Sequence, residues 1–95
     1  ELSDPDDLHF KVQVLVSRNR LENISSQFIN YQYVQEFQSG KWYKYAVGRS
    51  TRYDEIVKYC NSVRADYPDA FVIAVKNGEI ISMDNALKEN KTNHE

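Results

Sequence analysis

The residues best suited to chemistry are Trp42 and Lys44, two apart in the stretch Gly40-Lys41-Trp42-Tyr43-Lys44-Tyr45-Ala46-Val47-Gly48. Residues two apart on a strand point the same way, so Trp42, Lys44 and Ala46 share one face. Tyr43, Tyr45 and Val47 share the other, which is apolar enough to be core. An indole can cover the C–H face of a sugar ring, and an ammonium beside it can pair with an anion. Catalytic groupings are absent. His9 and His94 stand at opposite ends of the chain, and no cysteine or carboxylate cluster has metal-ligand spacing. The three glycines read as turns or strand ends rather than a phosphate loop. Ser17 and Ser50 have no nearby histidine to activate them, and Asp54 and Glu55 suit the start of a helix. The expectation is a binding domain with no enzymatic activity, cofactor or metal.

Bulk properties narrow the class further. A chain of 95 residues makes one domain with a modest core. Hydrophobic residues at 41% and charged residues at 27% fit an ordinary globule. A net charge of −2 and a pI near 5.7 argue against neutralisation of nucleic-acid phosphates. No apolar run is long enough to span a membrane, so membrane insertion is not expected. Cys60 is the single cysteine and cannot form an internal disulfide; it reads as a small buried hydrophobe. The chain opens on Glu1 rather than Met, and residues 1–8, with Asp4, Asp6 and Asp7 around Pro5, read as the end of a linker. That composition suggests a further segment N-terminal to it.

The elements that must position Trp42 and Lys44 follow from periodicity. His9 to Val16 alternates: Phe10, Val12, Val14 and Val16 on one face, Lys11, Gln13 and Leu15 on the other. Leu21, Ile24 and Phe28 then form one stripe of a short helix within 17–30, with Ser17 at its N-cap position. Tyr31 to Gln38 returns to alternation, Ser39-Gly40 turns, and Gly48 closes the next strand. Thr51 and Asp54 resemble a capping box ahead of a second helix with the stripe Tyr53, Ile56, Val57, Cys60, Val63 and Tyr67. Tyr67-Pro68 stops that helix. Ala70 to Lys76 reads as a buried strand, and Asn77-Gly78 predicts a hairpin to a short strand, Glu79 to Ile81. Ser82 or Asp84 could cap a last helical turn, and residues 88–95 form a polar tail.

The order β-α-β-β-α-β predicts an α+β, ferredoxin-like split β-α-β sandwich over 9–87. Four antiparallel strands would carry two helices on one face, with the short hairpin and helical turn appended. The other face would be open, and Gln13 and Leu15 would neighbour Trp42 and Lys44 on it. Two separate stretches then converge on one patch.

Three motifs, taken in order, resemble the SPOR domain. They are Val12-Gln13-Val14 in the first strand, Trp42 to Gly48 in the third, and Tyr67-Pro68-Asp69-Ala70-Phe71-Val72-Ile73-Ala74 followed by Lys76-Asn77-Gly78. The last is similar to the SPOR-like variant appended to bacterial cell-wall amidases, and the resemblance covers roughly 10–87. It implies a non-catalytic module of the bacterial periplasm or cell envelope that binds peptidoglycan, preferring glycan strands stripped of stem peptides. It also implies fusion to a catalytic domain such as an N-acetylmuramoyl-L-alanine amidase. Binding would use the open sheet face and its adjoining loops. The implied glycan-binding residues are Gln13, Trp42 and Lys44, with Ser17 standing one residue late for the serine of the family's usual Gly-Ser-Phe run. Stripped muramic acid bears a free lactyl carboxylate, which suits Lys44, with Arg18 or Arg49 nearby. A protein adaptor using the open sheet face is the alternative. Single-stranded RNA on an aromatic sheet is a third reading, disfavoured by the acidic pI.

Overall fold

The computed structural model of the protein describes residues 8–87. The expected linker end and polar tail lie outside these residues, except that Leu8 opens the first strand and is buried. In order, the elements are β1 (Leu8–Ser17), α1 (Ile24–Gln27), β2 (Gln35–Ser39), β3 (Trp42–Ser50), α2 (Tyr53–Val63), β4 (Phe71–Lys76) and β5 (Glu79–Ile81). A last short helix, α3, follows over 83–87. All strand pairings are antiparallel, in the order β2-β3-β1-β4-β5.

The ferredoxin-like sandwich expected from the element order is not the architecture formed. Among the described residues, five strands make one sheet that curls into a half-barrel, accompanied by three short helices. Three local causes account for the difference. Asn77 and Gly78 both have positive φ, at 53° and 82°, which suits a tight two-residue turn that folds β5 back onto β4 as a fifth strand. The first helix shrinks to one turn because Ser17 and Asn23 divert the chain before it. The Ser17 hydroxyl bonds Asn19, and Asn23 sits left-handed at the helix start. Two bulges then bend the centre of the sheet.

The bulges are legible in the β1–β3 register. Between Phe10 and Val12 the partner moves three residues, from Ser50 to Val47, which places an extra residue on β3 beside Gly48. Gly48 has φ 77°, a conformation glycine adopts without strain, and lies inside β3 rather than ending it. Between Gln13 and Leu15 the partner moves only one residue, from Ala46 to Tyr45, so Val14 is the extra residue on β1.

One face of the sheet packs on α2. Phe10, Val12, Tyr45 and Val47 meet Ile56, Cys60 and Val63 there, and Phe28 closes the side left by the short α1. The opposite face is not open. His9, Lys11, Gln13, Ala46 and Val75 are all buried on it, and a second apolar cluster joins Phe37 of β2 to Ile73 and Ile80. The two sheet edges approach one another over this concave side. The α2 start also differs from expectation: Arg52, not Thr51, is its N-cap and supplies no side-chain cap. Ser50 instead accepts the Arg52 N–H at 3.0 Å and donates to Glu55 at 2.8 Å. Ser82 does cap α3, accepting the Asn85 N–H at 3.1 Å.

Candidate functional site

The β2–β3 hairpin turns through Gly40-Lys41, with Ser39 opposite Trp42. Trp42 therefore stands at the mouth of the half-barrel, 45% exposed. The β1–β3 register pairs Val16 with Lys44 and Ser17 with Tyr43, so the next step brings Arg18 beside Trp42. Its guanidinium carbon lies 5.5 Å from the indole centroid, within cation–π range. Ser17 secures this placement. Its hydroxyl accepts the Asn19 N–H at 3.1 Å and donates to the Asn19 carbonyl at 2.7 Å, closing a turn around Arg18. Ser17 is thus a positioning residue in this geometry, on the Tyr43 side of the strand.

The Val14 bulge redistributes β1. Leu15, expected on the Trp42 face, turns to the helix side and packs on the main core. Val16 takes its place beside Lys44 and is 43% exposed. Gln13 stays on the concave face between Ala46 and Phe71, 6% exposed, and none of the described residues hydrogen-bonds its amide. Phe71 is 48% exposed, although sequence placed it in a buried strand. Trp42, Val16 and Phe71 therefore form an apolar rim on the face that carries Gln13 and Lys44, with Arg18 as its cation. Phe71 was missed because an apolar run carries no mark of where a strand leaves cover. Arg18 was missed as a specific partner because its position depends on the bulge.

Lys44 is half-buried and looks into the seam between the sheet edges rather than onto the rim alone. It borders a cavity of about 430 Å³ together with Phe37, Gln38 and Ser39 of β2 and Glu79 and Ile80 of β5. Among the described residues Lys44 makes no ion pair.

Deeper in the concave side, Lys11 is 2% exposed. Its ammonium donates to the Tyr33 carbonyl and, at 2.8 Å, to the Gly48 carbonyl. Burial, helped by the nearby Arg49 charge, lowers its pKa to about 8. Arg49 lies 3.0 Å from Nδ1 of His9. Lys11 acts as a clamp between the Tyr33 turn and the β3 bulge. The sequence placed it on a solvated face, because period two cannot reveal that a sheet curls over that face. Arg49, considered as a contact for the lactyl carboxylate, is held at this inner end, several residues along β3 from Trp42.

Among the described residues no helix is long and apolar enough to cross a membrane. Comparisons with protein-family models, with curated proteins and with solved structures found no match to this chain.

Proposed function

We propose that the chain is a non-catalytic glycan-binding module of the bacterial cell envelope, reading peptidoglycan strands and preferring those stripped of stem peptides. In that role it would target an attached cell-wall enzyme or partner. The observation that carries this reading is the half-exposed indole of Trp42 with the Arg18 guanidinium held against it. An exposed indole with a guanidinium over its ring pairs apolar surface with a cation, the combination that a sugar ring bearing a carboxylate calls for. Val16, exposed on the same face one ladder position from Ser17, adds apolar surface near the indole, whereas the Gln13 amide is buried and Phe71 stands opposite it, farther along the sheet. The concave sheet face is too well filled to take a glycan strand, so the binding surface is the rim and not the open face that a SPOR-like sandwich would present.

Co-sedimentation with purified sacculi, before and after amidase stripping, tests the reading. Greater retention on stripped sacculi, lost in Trp42→Ala, is the expected result. Equal retention on both, or none on either, rejects it.

A further inference from the structure

The sheet ends on β2 and β5, and among the described residues neither has a hydrogen-bonded neighbour on its outer side. Such edges offer rows of backbone donors and acceptors, and proteins usually protect them with lysine, proline, a bulge or brevity. β5 is protected by brevity, at three residues. β2 has none of these devices. Gln35–Ser39 contains no lysine or proline, and both bulges lie on the β1–β3 ladder. The single edge-guarding feature it has is the charge of Glu36, which is turned away from the seam to the helix side. There it accepts from the Tyr45 hydroxyl at 2.9 Å and pairs with Arg20 at 3.2 Å.

The hairpin fixes which backbone groups face outward. Ser39 and Trp42 flank a two-residue turn and so exchange hydrogen bonds, after which paired and unpaired positions alternate. Phe37 and Gln35 are then bonded to β3, and the N–H and C=O of Glu36 and Gln38 point to the free edge. Beside that edge lies the seam cavity of about 430 Å³, a size typical of ligand sites. Phe37 and Ile80 give it apolar walls. Lys44 stands on the β3 side and Glu79 on the β5 side, not joined in an ion pair.

The geometry points to a peptide-docking site: an extended segment of another protein adds along the free edge of β2 and fills the seam. A strand satisfies alternating backbone groups at Glu36 and Gln38, which a sugar chain does not reproduce at that spacing. The segment carries an apolar side chain toward Phe37 and Ile80 and a carboxylate within reach of Lys44. A basic or neutral residue faces Glu79. This site adjoins the Trp42 rim at Ser39 and Lys44, but its backbone edge is distinct, and it stands whether or not the rim binds glycan.

Peptides selected from a displayed random decapeptide library on the immobilised full chain provide the probe. On binding, amide hydrogen exchange should slow at Glu36 and Gln38, while Phe37 and Ser39, already bonded to β3, change little. Gln38→Pro removes an outward N–H without touching the β2–β3 ladder and should weaken the selected peptides by about tenfold or more. Lys44→Glu should reverse the preference for acidic peptides even if Gln38→Pro folds poorly. Failure to enrich any peptide, or protection elsewhere than Glu36 and Gln38, overturns the proposal. So does displacement of the selected peptides by muropeptide-free glycan fragments, which would assign the seam to glycan.

Discussion

A Cβ at Gly48 would collide with Cε2 of Tyr59 and lie 2.8 Å from its Cδ2. The aromatic ring of α2 thus occupies the space that any other residue at the β3 bulge would need. The bulge, in turn, exposes the Gly48 carbonyl to Lys11 and its N–H to the Gln32 carbonyl at 2.7 Å. Gly48→Ala meets both a positive φ and the Tyr59 ring, and should destabilise by about 2–4 kcal/mol in chemical denaturation. Combined with Tyr59→Ala, the same substitution should cost less than the sum of the two single changes, because the clash is then gone. Strict additivity would remove the ring as the cause.

Lys11 gives a pH signature. Its folded pKa of about 8 is below that of an unfolded lysine, so between those values the unfolded chain binds more protons. Stability from this group therefore rises with pH above 8, with a limiting slope of about 1.4 kcal/mol per pH unit. The window closes near pH 10. Above that, tyrosines whose folded pKa is raised, such as Tyr31 at about 12 through its bond to Asp66, begin to favour unfolding. Denaturant midpoints measured from pH 7.5 to 9.5 should climb in the wild type and flatten in Lys11→Met. An equal slope in both would place the titration elsewhere.

The strands were readable because residues alternate in β1 and β3 and β4 is a short apolar run, and Asn77-Gly78 announces β5 without ambiguity. Curvature was not readable. It arises where Val14 and Gly48 break the ladder, and a single extra residue leaves the hydrophobic alternation of 9–16 outwardly intact. That one bulge moves Leu15 off the Trp42 face and puts Val16 on it. The curl then encloses Lys11 and Gln13, which a flat sheet would leave in solvent. α1 was overestimated because Leu21, Ile24 and Phe28 do face the core, as a helical stripe would, yet Leu21 is held by the Tyr45 hydroxyl at 2.7 Å and not by a helix. Of the candidate site, Trp42 and Lys44 were visible as a pair, whereas Arg18 and Phe71 depended on register.

Core and rim should separate in mutagenesis. Ile56 is fully buried against β1 and β3, and Ile56→Ala should cost about 2–5 kcal/mol. Trp42 belongs to neither apolar cluster, and Trp42→Ala should leave the melting temperature within a few degrees of wild type while lowering sacculus binding. A stability loss from Trp42→Ala as large as that from Ile56→Ala would make the indole a structural plug.

The proposed selectivity for stripped strands rests on where the charge sits. A stem peptide is attached through the lactyl carboxylate, which replaces an anion by an amide and adds bulk on that side. The Arg18 guanidinium, 5.5 Å from the centroid of the Trp42 ring, is close enough to meet that anion on a sugar seated at the indole. Arg18→Gln retains hydrogen bonding but deletes the charge. It should weaken binding to stripped sacculi by about 0.5–1.5 kcal/mol and reduce the salt dependence. Lys44→Gln should have the smaller effect on glycan, since Lys44 looks into the seam. Trp42→Ala should weaken binding at every salt concentration, because contact between an indole and a sugar ring is not screened. Measured from 50 to 500 mM salt, parallel curves for wild type and Arg18→Gln would show that no glycan carboxylate reaches the guanidinium, and the preference for stripped strands would lose its physical basis.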